Sequence, residues 1–164
     1  MEPILNVKNL TMNFGGLKAL DSVNISVEKG QIAALIGPNG AGKTTFFNCI
    51  TGIYPPSEGL VEITPPGRPT QKLNGLKTNY VTERGLARTF QNIRLFEGMT
   101  VLENVMIGRH CRLKSGILKA MIRPSSQRNE EKQAIDDSYE ILEKIGLEQY
   151  VNEMAVNLPY GAQR

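Results

Sequence analysis

The chain has 164 residues, 40% hydrophobic and 21% charged, which is the composition of a globular protein long enough to bury a core. Its net charge of +3 is too mild to demand a nucleic-acid partner, and we predict none. No apolar run approaches the roughly 20 residues of a membrane span, and the first residues lack the basic and apolar regions of a secretory signal. The two cysteines are far apart in the sequence and there is a single histidine, so these residues form no metal motif. Two separate thiols indicate a protein of the reducing cytoplasm.

Three stretches before residue 37 have the patterning of β-strands. Residues Ile4–Thr11 alternate imperfectly, as an edge strand does, and Val23–Val27 alternate cleanly. These two stretches predict a small antiparallel sheet. The continuous apolar run Ile32–Ile36 predicts a third strand, buried on both faces.

A glycine-rich loop follows that run and matches the phosphate-binding pattern G-x-x-x-x-G-K-[ST] at every required position. It consists of Gly37, Pro38, Asn39, Gly40, Ala41, Gly42, Lys43, Thr44 and Thr45. Glycines let successive N–H groups turn inward, and the helix that begins near Lys43 adds the partial positive charge of its N-terminus. The motif therefore predicts a nucleotide site with Lys43 at the β- and γ-phosphates, Thr44 at Mg²⁺ and Thr45 at the α-phosphate.

The segments after the loop alternate between strand and turn signals. A helix is expected from the loop to Ile50, and Pro55–Gly59 then break the chain before the strand-like Leu60–Ile63. Residues 64–79 are rich in Pro, Gly, Asn and Lys and predict a loop.

Helical patterning dominates from about Leu95. Thr100 and Glu103 have the spacing of a capping box in front of an apolar run. A longer helix is predicted to end at Gly146. Its predicted apolar face consists of Ile135, Tyr139, Leu142 and Ile145.

Residues 109–128 lie between these two helices and contain six basic residues and no acidic one. Such a segment is usually a solvated connector. The alternative is a basic rim that faces acidic lipid headgroups or a membrane-protein partner.

Several motifs, taken in order, resemble the ATP-binding subunits of ABC transporters over the whole chain. They are Phe14–Leu20, the glycine loop, Arg88–Phe96, Thr100–Val105 and the ending Leu158–Arg164. Three of these motifs are most similar to the ATPases of high-affinity branched-chain amino acid importers. They are Phe14–Leu20, Arg88–Phe96 and the Tyr-Gly-x-Gln-Arg ending.

The resemblance implies further site residues. Phe14 matches the aromatic that stacks on adenine, the alternative being a core residue between strands. Gln91 matches the glutamine that binds Mg²⁺ beside the transmembrane partner. Gly161 matches the signature motif, which contacts the ATP held by the opposite subunit. The signature here reads Leu-Pro-Tyr-Gly-Ala, so the backbone of Gly161 is the main candidate for that contact.

Hydrolysis in the resembled family uses an Asp-Glu pair at the end of an apolar strand and a later histidine. The aspartates here are Asp21, Asp136 and Asp137, and none follows an apolar strand. We identify no catalytic residue. We expect the chain to be part of a longer ATPase domain that hydrolyses ATP, and we expect this part alone to lack hydrolysis.

The fold prediction is an α/β P-loop NTPase core with an N-terminal antiparallel β subdomain and a helical subdomain, of the ABC ATPase type and truncated. Residues 1–94 would form the nucleotide-binding core and 95–164 the helical subdomain. The predicted function is an ATP- and Mg²⁺-dependent ATPase subunit that drives branched-chain amino acid import. The alternatives are an ABC ATPase for another cargo, such as lipopolysaccharide export, or a nucleotide-binding module without turnover.

The same resemblance predicts where and with what the subunit works. The expected partners are a second ATPase subunit, identical or not, and transmembrane permease subunits. The expected location is the cytoplasm, peripheral on the inner face of the cell membrane.

Overall fold

The computed structural model of the chain describes residues 3–90, 94–108 and 125–163, and for 125–130 it describes the backbone alone. The chain divides into two compact units, Met1–Thr89 and Phe90–Arg164. Each unit has a hydrophobic core of its own.

The first unit contains a four-stranded antiparallel sheet in the order β2-β1-β3-β4. Its strands are β1 (Leu5–Phe14), β2 (Leu17–Val27), β3 (Glu58–Ile63) and β4 (Gln71–Lys72). Val7 lies opposite both Ile25 of β2 and Val61 of β3, so β1 is a central strand. The predicted antiparallel sheet is confirmed, although β1 is not the edge strand that its imperfect alternation indicated, and β4 falls within the predicted loop.

Two helices accompany this sheet, α1 (Lys43–Ile50) and α2 (Thr78–Glu83). Because Val7 and Val61 lie directly opposite each other, their side chains share one side of the sheet, where both are almost completely buried. Phe46, Cys49 and Ile50 of α1 belong to the same core. The core therefore fixes the orientation of the helix that begins at the glycine loop.

The strand predicted at Ile32–Ile36 is wrong. Residues 31–38 belong to no helix or strand, and the side chains of Ile32 and Ile36 are 98% and 91% exposed. An apolar run forms a buried strand only where neighbouring strands pair with its backbone and other elements cover both faces. Within the described residues, no strand pairs with this run.

The second unit is built from helices and short turns. It contains α3 (Val101–Gly108), α4 (Ser125–Lys144), two 3₁₀ turns (Glu148–Tyr150 and Ala155–Asn157) and α5 (Tyr160–Gln163). Its core consists of Val101, Leu142, Val151 and Leu158. An antiparallel bridge between Thr100 and Met154 ties the start of α3 to the later turns.

The capping box at the start of α3 is confirmed by its hydrogen bonds. The Thr100 N–H donates to Glu103 Oε2 at 2.8 Å, and the Glu103 N–H donates to Thr100 Oγ1 at 3.2 Å. Gly146 follows α4 with a φ of 69°, which is the left-handed conformation expected of a helix stop.

The predicted apolar face of α4 is correct at one of its four positions. Leu142 is buried, whereas Ile135, Tyr139 and Ile145 are exposed. The buried face instead carries Ala134 and Ser138. Ser138 tolerates burial because its hydroxyl donates to the Ala134 carbonyl oxygen at 2.6 Å, so the polar group is satisfied within the helix.

Candidate nucleotide-binding site

The glycine loop makes a tight turn immediately before α1. The Ala41 N–H donates to the Pro38 carbonyl oxygen at 3.2 Å, and Gly40 and Gly42 have φ values of 84° and 83°. A Cβ at Gly42 would lie 2.6 Å from the Ala19 carbonyl oxygen, whereas one at Gly40 would meet nothing within 4 Å. Gly42 is therefore required both by its backbone conformation and by its approach to β2.

Lys43 folds back across the loop. Its Nζ donates to the carbonyl oxygens of Gly37 at 2.6 Å and Pro38 at 2.7 Å. Lys43 as a residue is half-buried, and these short charge-assisted bonds hold its ammonium against the turn.

The N-terminus of α1 offers hydrogen-bond donors to an anion. The first bond of the helix runs from the Phe46 N–H to the Gly42 carbonyl at 2.8 Å. In the described part of the chain, the N–H groups of Lys43, Thr44 and Thr45 have no acceptor, the helix has no side-chain cap, and its first turn contains no acidic residue. These donors, the helix dipole and the Lys43 ammonium fit a phosphate chain.

The loop fits a magnesium ion that is held partly by phosphate. Thr44 is exposed and presents a hydroxyl oxygen, the hard ligand that Mg²⁺ prefers. Among the described residues there is no cluster of three or more His, Cys, Asp or Glu side chains that could hold a metal alone. Mg²⁺ usually takes only one or two protein ligands together with substrate phosphates.

Phe14 lies at the tip of the hairpin of β1 and β2, opposite Leu17. Its ring makes an edge-to-face contact with Tyr54 at 5.4 Å between centroids, and the side chain is 42% exposed. Leu17 is two residues from Ala19, the residue that Gly42 approaches. Phe14 is thus neither fully buried nor isolated, and its stacking role stays a prediction.

The other two implied residues lie beyond this loop. Gln91, together with residues 92 and 93, falls outside the described residues, as do most of the basic segment and both His110 and Cys111. Gly161 is exposed in α5 of the second unit, beside the exposed Tyr160. The side chain of the neighbouring Gln163 bonds within the same unit, where its Nε2 donates to the Leu158 carbonyl oxygen at 2.9 Å.

One contact near the site has no signal in the sequence. Arg88 Nη1 donates to Asn48 Oδ1 at 2.7 Å, which links α1 to a segment 40 positions away. No motif spacing predicts such a pair, because only the fold brings the two residues together.

Among the helices that the structure describes, none is long and apolar enough to cross a membrane.

Cys49 of α1 is buried, and that burial raises the pKa of its thiol above the ordinary value of 9.0. The thiol is therefore a core group rather than a nucleophile of the site.

Known proteins of similar sequence are transport ATP-binding proteins. The chain is 43% identical to the high-affinity branched-chain amino acid transport ATP-binding protein LivG of Escherichia coli K12, over 99% of this chain and 62% of LivG. It is 41% identical to the corresponding protein BraF of Pseudomonas aeruginosa, again over 99% of this chain and 62% of the relative. The chain thus spans about 62% of the length of these curated relatives.

A solved structure and a family model also match this chain. The ADP conformation of MJ1267, an ATP-binding cassette of an ABC transporter, superimposes with a TM-score of 0.76 at 33% identity and covers 99% of this chain and 61% of that one. The predicted ABC ATPase fold is thereby confirmed. The family model of the ABC transporter matches residues 20–164. The chain therefore belongs to the ABC transporter family.

Proposed function

We propose that this chain is the nucleotide-binding part of an importer ATPase that couples ATP binding and hydrolysis to the uptake of branched-chain amino acids. The observation that carries the nucleotide site is the N-terminus of α1, where three N–H groups have no acceptor in the described part of the chain and the Lys43 ammonium bonds the carbonyls of the adjoining glycine loop. The cargo is supported by the names of relatives that are 41% to 43% identical over nearly the whole chain.

The glycine loop would hold the phosphates of ATP. Its backbone N–H groups and those at the start of α1 would surround the phosphate oxygens, while Lys43 would exchange two neutral carbonyl acceptors for the charged β- and γ-phosphates. Thr44 would bind Mg²⁺, with Gln91 as a second ligand. Bound Mg²⁺ supplies neutralisation of the negative charge on the β- and γ-phosphates. Thr45 would bond the α-phosphate, and Phe14 would stack on the adenine.

Turnover would require groups that this sequence does not supply. It contains no Asp-Glu pair, Asp21 lies within β2, and Asp136 and Asp137 lie on α4. We propose that the chain alone binds ATP without hydrolysing it, and that the catalytic carboxylate of the working ATPase lies outside these residues.

The proposed assembly follows from the family. A second ATPase subunit, identical or not, would present its ATP to the backbone of Gly161. Permease subunits in the membrane would dock the pair at the inner face. The relatives' role as transport ATP-binding proteins supports this peripheral location.

Calorimetric titration of the 164-residue chain with ATP and Mg²⁺ tests the proposal. Lys43→Ala should weaken binding at least about 30-fold, the equivalent of about 2 kcal/mol for a lost charge-assisted contact. Lys72→Ala removes the same charge from exposed β4 and should leave affinity unchanged. Equal affinities for the parent chain and Lys43→Ala, with both folded by circular dichroism, would refute the proposed site.

A further inference from the structure

The contact between Asn48 and Arg88 joins the phosphate-binding helix to the segment that leads to Gln91. Both side chains are half-buried, and the 2.7 Å bond pairs a charged donor with an amide oxygen. Charge-assisted bonds of this length are stronger than neutral ones, particularly where water is partly excluded. The pair is therefore a firm link between two parts of the first unit.

Asn48, at one end of this link, lies on the helix α1. Asn48 is five residues after Lys43 on the same helix, about 7.5 Å along its axis. The Asn48 carbonyl also accepts hydrogen bonds from the Ile53 and Tyr54 N–H groups, at 2.9 and 3.1 Å. A displacement of the helix start on phosphate binding would therefore move the Asn48 side chain as well.

On the other side, the link ends on a segment without regular structure. Residues 86–90 belong to no helix or strand. Leu86 packs against the core at one end of the segment, while Phe90 at the other end is 67% exposed. Gln91 follows Phe90 directly in the sequence. Arg88 is thus placed to anchor the approach to Gln91.

We infer that Asn48 and Arg88 are positioning residues that make the approach to Gln91 follow the state of the phosphate-binding helix. This inference rests on the proposed function, since it gives Asn48 and Arg88 no contact with nucleotide. Their role is to hold Arg88 on α1, so that loading of the glycine loop changes the surroundings of Phe90, two residues later in the chain. Loss of either Asn48 or Arg88 uncouples the surroundings of Phe90 from the glycine loop without removing the phosphate site.

The chain contains no tryptophan, which allows a single-site reporter. In a Phe90→Trp background, ATP with Mg²⁺ should shift the indole emission, while calorimetry measures affinity on the same samples. Adding Asn48→Ala or Arg88→Ala should reduce the emission change at least fivefold and alter the ATP Kd by less than threefold. Asn48→Asp keeps an acceptor for the guanidinium and should restore the emission change.

Arg84→Ala is the matched control. Arg84 is also half-buried, but it donates to the Tyr80 carbonyl of its own segment and, within the described residues, makes no hydrogen bond to α1. It should leave both the emission change and the affinity intact. The inference is overturned if the emission change survives in both Asn48→Ala and Arg88→Ala, or if Arg84→Ala loses it equally. It is also overturned if the Phe90→Trp chain binds ATP but shows no emission change. Failure of the parent chain itself to bind ATP in the same calorimetry would refute the proposed function, and the inference with it.

Discussion

Lys43 donates a 2.6 Å hydrogen bond to the carbonyl oxygen of Gly37, six residues earlier in the chain. The lysine therefore closes the glycine loop on itself, with a second bond to Pro38. A phosphate that enters the loop offers the ammonium a full negative charge in place of two neutral acceptors. The exchange favours highly charged ligands, which is the physical basis for expecting a nucleotide polyphosphate here.

Gly42 and Gly40 form a matched pair for testing the geometry of the loop. Both have φ near 84°, so an alanine at either position should cost about 1 kcal/mol for its left-handed backbone. A Cβ at Gly42 would also collide with the Ala19 carbonyl oxygen at 2.6 Å. Gly42→Ala should therefore lower the free energy of unfolding by at least about 1 kcal/mol more than Gly40→Ala. Urea denaturation followed by circular dichroism makes the comparison, and equal losses would contradict the close approach to β2.

Removal of the capping box should destabilise the second unit. Thr100→Ala loses the acceptor for the Glu103 N–H and should cost about 1 kcal/mol of unfolding free energy. Thr82→Ala is the control, because Thr82 is exposed on α2 and its hydroxyl donates to the Thr78 carbonyl of the same helix. Its effect should stay within about 0.5 kcal/mol in the same urea titration. A Thr100→Ala effect no larger than the control's would mean that the cap does not stabilise α3.

Asn104 should hold the loop in front of α3 in place. Its Oδ1 accepts from the Phe96 N–H at 2.9 Å, and its Nδ2 donates to the carbonyls of Phe96 and Thr100 at 3.1 and 2.9 Å. Asn104→Ala leaves these backbone groups without that partner. Chymotrypsin should then cleave after the exposed Phe96 at least severalfold faster than in the parent chain.

The matched variant for that experiment is Asn152→Ala, which removes the same side chain from an exposed position of the second unit. It should leave the cleavage rate unchanged. Equal rates for the parent chain and Asn104→Ala would show that the side-chain bonds do not restrain the loop.

Cys49 should react slowly until the protein unfolds. Its burial raises the pKa of the thiol, so less thiolate is present at a given pH than for an exposed cysteine. In a Cys111→Ser background, so that only one thiol is titrated, labelling at pH 8 should accelerate at least tenfold in denaturing urea.

The same raised pKa makes the stability depend on pH. Between the ordinary thiol pKa of 9.0 and the higher folded-state value, the folded chain retains the proton that the unfolded chain loses. Stability is therefore fully present below pH 9 and falls as the pH rises through this window. Cys49→Ala should lose this pH dependence of the free energy of unfolding. In the labelling experiment, a folded chain that reacts as rapidly as the chain in urea would contradict the burial of the thiol.

Features that depend on neighbours in the sequence were predictable. The capping box of Thr100 and Glu103 spans four residues, and its hydrogen bonds form as the pattern predicts. The stop at Gly146 is equally local. The turn of the glycine loop also depends on nearby residues, since the Ala41 N–H and the Lys43 ammonium both donate to the Pro38 carbonyl oxygen.

Features that depend on a partner far along the chain were not predictable. The apolar run Ile32–Ile36 has a strand's composition, yet no described strand pairs with it. On α4, the spacing of Ile135 and Tyr139 is as helical as that of Ala134 and Ser138, and the packing of the second unit buries the latter pair. The contact between Asn48 and Arg88 likewise exists only because the fold brings α1 beside residue 88.

By itself, the sequence determined the phosphate-binding loop, the helix caps and the resemblance to ABC ATPases, because these depend on short spacings and on the types of adjacent residues. Only the tertiary structure decided that Gly42 approaches Ala19, which helix face is buried, and that Asn48 meets Arg88. The physical reason is that burial and long-range hydrogen bonds are properties of pairs of elements, and a single segment does not specify its partner.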